Sequence, residues 1–134
     1  MLLIEDEEDV ARAIVRGLAR AGLGTAWANR GKTGLALKAS LRPHVVLVDL
    51  VLPDMDGRSL VALLGRPRDC GVVVLSGVVD EADQVMGGIG ADDFVAKPPN
   101  MREVVARIRA VHQRVNLRGK GERAARAAPE GGPA

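Results

Sequence analysis

The chain has 134 residues, 47% of them hydrophobic but only 1% aromatic, with a formal net charge of +2 and a single cysteine. That length makes one domain with a core of its own, and the composition requires that core to be built from Val, Leu, Ile and Ala. A lone cysteine excludes an intramolecular disulfide framework, and no apolar stretch is long enough to span a bilayer or to read as a secretory signal, which leads to the expectation of a cytoplasmic protein. The charge excess lies beyond Leu117, while residues 1–117 balance at 15 basic and 15 acidic, so the high overall pI says little about nucleic acid.

In chain order, Leu2 to Ile4 reads as a first short strand, followed by five consecutive acids, Glu5 to Asp9. Glu7, Glu8 and Asp9 suit a helix N-terminus, where negative charge complements the macrodipole. Val10, Ile14, Leu18 and Ala21 then mark one face of a helix that stops at Gly22. Gly24 to Ala28 reads as a second strand with Trp27 as a packing residue, and Gly31 to Leu41 as a second helix with Leu35, Leu37 and Leu41 apolar and Pro43 ending it.

The next stretch, HVVLVDLVLPDMDG from His44 to Gly57, organises the rest. Val45 to Val48 is an unalternated, mostly β-branched run of the kind buried on both faces of a parallel sheet. It ends on Asp49, a poor strand residue, and then breaks into a turn at Pro53, Asp54, Asp56 and Gly57. Ser59 to Leu64 predicts a third helix, and Cys70, in the loop after it, reads as an inert packed thiol. Val72 to Leu75 is a strand ending on Ser76 and Gly77. A fourth helix is expected over 80–88, weakened by Gly87, Gly88 and the nearby Gly90, each costing about 1 kcal/mol relative to Ala. Phe94 to Ala96 is a last strand, ending on Lys97 and Pro98. A fifth helix is expected from Asn100 to about Asn116, with Val104, Val105, Ile108 and Val111 on one face. Residues 117–134 are rich in Gly, Ala, Arg and Pro without periodicity and read as a disordered basic tail or linker.

Four strand ends thus carry Glu5 and Asp6, Asp49, Ser76, and Lys97. In an open parallel sheet the carboxyl ends of the strands lie along one edge, where ligands bind, so carboxylates, a hydroxyl and an ammonium converge there. A lone Asp after a strand is ordinarily a capping or turn residue; the company of the other three ends turns the reading toward chemistry.

The chain resembles the receiver domain of bacterial two-component response regulators, and in particular receivers of the winged-helix DNA-binding class. The matching stretches are IEDE at 4–7, VDLVLPDMDG around Asp49, VVLSG ending at Gly77, and GADDFVAKP from Gly90 to Pro98. The resemblance implies an α/β, flavodoxin-like (βα)5 fold over residues 1–116 with strand order 2-1-3-4-5. It implies a phosphoacceptor rather than a substrate-turning enzyme, with Asp49 taking a phosphoryl group from a sensor histidine kinase. Mg2+ is the implied cofactor, held by Asp6 and Asp49, by Glu5 through a water, and by the Val51 backbone carbonyl. Lys97 and Ser76 are implied to hold phosphoryl oxygens, with a cis peptide after Lys97, and Gly77 to keep the approach open.

Signalling in this family runs through the hydroxyl residue and an aromatic, here Ser76 and Phe94. Asp92, Asp93 and Arg107 match residues used for a weak, phosphorylation-enhanced homodimer through the fourth helix, fifth strand and fifth helix. DNA would be reached only through an output domain not within this chain; the alternative is a stand-alone receiver acting by protein–protein interaction. Val51 and Val78, two residues after the phosphoacceptor and the hydroxyl residue, are expected to shield the phosphoryl group from water. Val51 also argues against an aspartyl-phosphate phosphatase, which needs an acid at that place, and acids rather than a Gly-rich loop after the first strand argue against a nucleotide binder.

Overall fold

The computed structural model describes residues 1–66, 69–77 and 90–127, with side chains through Leu117. The apolar runs form five strands, β1 (Leu2–Ile4), β2 (Ala26–Ala28), β3 (Val45–Asp49), β4 (Gly71–Ser76) and β5 (Asp93–Ala96). They make one sheet in the order β2-β1-β3-β4-β5, every pairing parallel. The β1 side of the order reverses direction relative to the β3–β5 side, which is the topology that opens a crevice beyond the strand ends. The expected helix over 80–88 and Val78 lie outside the described residues.

Four helices are described: α1 (Glu8–Arg20), α2 (Gly31–Leu41), α3 (Gly57–Leu64) and α4 (Met101–Ala127), the last being the fifth of the sequence reading. Period-2 alternation divides the strand residues between two faces. Leu2, Ile4, Val46, Val48, Val72 and Val74 pack with Leu60, Val61 and Leu64 of α3, while Leu3, Leu47, Val73, Leu75 and Val95 pack with Ile14 and Leu18 of α1 and Val104, Ile108 and Val111 of α4. Nearly all of these are fully buried, so both faces of the sheet are covered and the unalternated apolar runs are accounted for.

Two elements depart from expectation. On α2, Leu35 and Leu37 pack against the core as expected, but Leu41 is 51% exposed and the buried positions of the helix are Gly31 and Gly34. A Cβ on Gly34 would lie 2.3 Å from Ile4 Cδ1, so the missing side chain lets the helix backbone come down onto β1. The last helix corrects the reading of 117–134 as irregular from its start, because α4 continues past Asn116 to Ala127. Packing through Val115 supplies a formed helix to extend, and Glu122, Arg123, Ala124, Ala125 and Arg126 are good helix formers that absorb the cost of Gly119 and Gly121.

Candidate functional site

The parallel ladder brings the ends of β1, β3, β4 and β5 to one edge. Glu5 follows β1 directly, its N–H donating to the Ala28 carbonyl at 3.0 Å, and its side chain is fully buried. Glu5 Oε1 accepts from the Glu7 N–H at 3.2 Å, whereas Oε2 is buried with no hydrogen-bond partner. Asp49 ends β3, 3% exposed; Oδ1 accepts from the Val51 N–H at 3.0 Å and Oδ2 from Lys97 Nζ at 2.8 Å. The same ammonium stands 3.5 Å from Glu5 Oε2. Asp6 is exposed, and one carboxylate oxygen from each of Glu5, Asp6 and Asp49 falls within 4.8 Å of the others. Ser76, buried at the end of β4, is paired in register with Ala96, and its carbonyl accepts the Lys97 N–H at 2.9 Å. The Lys97–Pro98 peptide is cis.

Three carboxylates against one ammonium leave the site short of positive charge. Burial, reinforced by the hydrogen bond and negative charge of Asp49, pushes the Glu5 carboxyl from 4.5 up to about 7. Partial burial works against the charge on Lys97, but Asp49 and Glu5 outweigh it and hold its pKa above the usual lysine value. The oxygen-only donor set and the orphaned Glu5 Oε2 fit a hard divalent cation, Mg2+ in chemistry, which takes carboxylate and carbonyl oxygens and neutralises such a cluster.

The other expected residues are placed as follows. Val51 is 67% exposed and forms an antiparallel bridge with Asp56. A Cβ on Gly77 would meet Lys97 Cβ at 3.9 Å, an ordinary contact, so clearance alone does not demand glycine there. Phe94 is half-buried against the core. Asp92 accepts the Val72 N–H at 2.8 Å, and Asp93 pairs with Arg107 at 2.7 Å within the same chain.

Sequence reasoning missed two contacts. Trp27 Nε1 donates to the Glu5 carbonyl at 2.7 Å, tying β2 to the acidic turn. Asp54 accepts the N–H groups of Gly31 and Lys32, at 2.8 and 3.0 Å, at the start of α2. A signal for the second existed, since α2 begins after Arg30 with no Ser, Thr, Asp or Asn to cap it.

A cavity of about 420 Å³ lies at the opposite edge, where β1 and β3 begin, lined in part by Leu23, Leu41, Pro43, His44, Ile108 and His112. None of its lining residues is acidic, and its two histidines stack edge to face at 5.0 Å. The convergent polar groups are at the other end.

The sequence profile of the response regulator receiver domain matches residues 1–109. The chain belongs to that family. Among curated relatives, this receiver is 37% identical over 115 residues to the transcriptional regulatory protein AfsQ1 of Streptomyces coelicolor, covering 85% of this chain and 51% of that one. It is 32% identical over 115 residues to the transcriptional regulatory protein BaeR of Escherichia coli, covering 85% and 48%. The chain thus spans about half the length of the curated relatives it matches. Among solved structures, the receiver domain of the Francisella response regulator 1452 superimposes with a TM-score of 0.77 at 26% identity, covering 84% of this chain and 95% of that one. A CheY-like receiver domain protein from Methanospirillum hungatei shares the fold with a TM-score of 0.81 at 22% identity, covering 87% and 95%.

Proposed function

We propose that this receiver accepts a phosphoryl group on Asp49 from the phosphohistidine of a sensor kinase and uses it to switch an output surface. The observation that carries the reading is the part-buried contact of Lys97 Nζ with Asp49 Oδ2 at 2.8 Å, beside a buried Glu5 oxygen that accepts no hydrogen bond. A carboxylate oxygen of Asp49 attacks phosphorus, the P–N bond breaks, and an acyl phosphate remains. The Val51 N–H holds Asp49 Oδ1, so the side chain is oriented before a donor arrives. Lys97 then exchanges the Asp49 carboxylate for a phosphoryl oxygen, and Ser76 supplies a hydroxyl to another; both stabilise charge that grows during transfer. Bound Mg2+ would supply the positive charge that lets a phosphoryl group approach three carboxylates, held by Asp6, Asp49, the Val51 carbonyl and, through water, Glu5.

The exposed Val51 side chain supports its role as a shield over the phosphoryl group, since it offers no hydrogen bond to an attacking water. Ser76 moving toward the phosphate would let Phe94 turn inward and change the β5–α4 surface. There the intramolecular Asp93–Arg107 pair would open to form a weak, phosphorylation-enhanced dimer with a second copy. Relatives about twice as long, named as transcriptional regulators, support an output on transcription through a DNA-binding domain of the winged-helix class, reached through the segment after Asn116. No described helix is long and apolar enough to cross a membrane, which suits a cytoplasmic partner of a sensor kinase.

The test is incorporation of labelled phosphate from acetyl phosphate with Mg2+. Hydroxylamine-sensitive label on the wild type, absent from Asp49→Asn and absent with EDTA, is expected. Equal label on Asp49→Asn refutes the assignment.

A further inference from the structure

The register of the sheet sets Glu5 against Asp49 only as far as its last paired residues, Ile4 and Val48. Beyond them the loop from Leu50 to Asp56, which carries Val51, leaves the sheet. At its far end it is closed on itself: Val51 bridges to Asp56, and Asp56 caps α3 through the Ser59 N–H at 3.2 Å. Gly57 lies so close that a Cβ would stand 1.9 Å from the Leu50 carbonyl oxygen. Leu50, Leu52 and Met55 of the loop pack in the cluster that holds Ile4 and Ala28, but apolar contact of this kind supplies no directional bond to the β1–β2 side of the site.

Asp54 does. Its two oxygens separately accept the first two N–H groups of α2, Gly31 at 2.8 Å and Lys32 at 3.0 Å. Those donors have no cap of their own, since Arg30 provides none and the first turn of α2 has no acidic residue. The seat is close, because a Cβ on Gly31 would lie 2.9 Å from Met55 Sδ. Gly31 follows β2 by three residues, and the last residue of β2, Ala28, accepts the Glu5 N–H. Glu5, Ala28, Gly31, Asp54 and Asp49 therefore form a closed circuit of chain, hydrogen bonds and β1–β3 pairing.

We propose that Asp54 is a positioning residue for the divalent cation. By clamping the β3–α3 loop onto the first turn of α2, it holds the Val51 carbonyl and the Asp49 carboxylate at the spacing from Glu5 and Asp6 that the ion requires. This rests on the Mg2+ reading given above. A carboxylate is suited to the task because a fork of two acceptors fixes the loop in rotation as well as distance, while a single acceptor leaves it free to swing.

The test is Mg2+ titration of the whole chain by calorimetry, with emission of Trp27, the only tryptophan and a direct donor to the Glu5 carbonyl, as a second readout. Asp54→Ala is expected to weaken Mg2+ by about tenfold, as losses of supporting residues around metal sites do. Asp54→Asn keeps one acceptor but turns an amide donor toward the second N–H, and Asp54→Ser keeps a single, shorter-reaching acceptor, so both should lose affinity, by less than Asp54→Ala. Asn100→Ala removes a comparable cap, from the Arg102 and Glu103 N–H groups of α4, and should lower the melting temperature without moving Mg2+ affinity. Wild-type affinity in both Asp54→Ala and Asp54→Ser overturns the proposal, as does an equal loss in Asn100→Ala. No heat and no emission change in the wild type overturns the Mg2+ reading itself, and this inference with it.

Discussion

The two edges of the sheet are made from the same strands and behave oppositely. Where the strands finish, the chain buries a glutamate, an aspartate and a serine around one lysine. Where they start, a cavity is walled by leucine, proline, two arginines and two histidines whose rings meet edge to face. The cavity lies at the second edge, and the convergent carboxylates at the first. A buried carboxylate with an oxygen that accepts no hydrogen bond costs free energy that apolar packing must offset, whereas a surface pocket of apolar, imidazole and guanidinium groups costs little. The expensive edge marks function because nothing in folding requires it.

The contrast predicts where substitution matters. The largest effect is expected from Asp49→Asn, which should abolish phosphoryl incorporation while the domain stays folded by circular dichroism. Next is Gly57→Ala: a Cβ 1.9 Å from a backbone oxygen cannot be absorbed by a rotamer change, so the loop must shift. A loss of about 2–4 kcal/mol in urea unfolding, with slower phosphorylation in the surviving native state, is expected.

Glu5→Gln tests the cost of the polar edge directly. With a folded pKa of about 7 against 4.5, the raised carboxyl contributes no penalty below pH 4.5, and stability is lost as pH rises through 7. In EDTA the difference between wild type and Glu5→Gln should therefore grow across that window, reaching about 2–3 kcal/mol in favour of the variant at pH 8. A flat difference curve would mean that Glu5 is not strained. The smallest effect is expected from His112→Ala at the other edge. It should change stability by about 1 kcal/mol or less and leave phosphorylation rates unaltered. A strong effect on phosphorylation would erase the distinction between the edges.

Much of this is legible in the sequence. Apolar runs ending on Glu5, Asp49, Ser76 and Lys97 predict both the sheet and the polar residues that meet at its carboxyl edge, because strand burial and strand termination are local properties. Contacts between elements were not legible. Leu35 and Leu37 gave the packed face of α2, but the close approach of its backbone at Gly34 to Ile4 of β1 left no mark in the apolar pattern. Asp54 read as a turn residue because the donors it satisfies lie 23 and 22 positions earlier. The extent of α4 was underestimated because Gly119 and Gly121 look like breakers unless a packed helix precedes them.

That length of α4 has a mechanical meaning. Val115 packs beside Gly71, the first residue of β4, so by that turn the helix has reached the level at which the strand begins. The residues from Asn116 to Ala127 run on as a rod of about 18 Å at 1.5 Å per residue. Such a rod is a lever pivoted where the packed part of the helix ends, at Val115. A tilt of about 10° at the domain would swing its far end by about 3 Å over those 18 Å, more than the side-chain rearrangement that caused it.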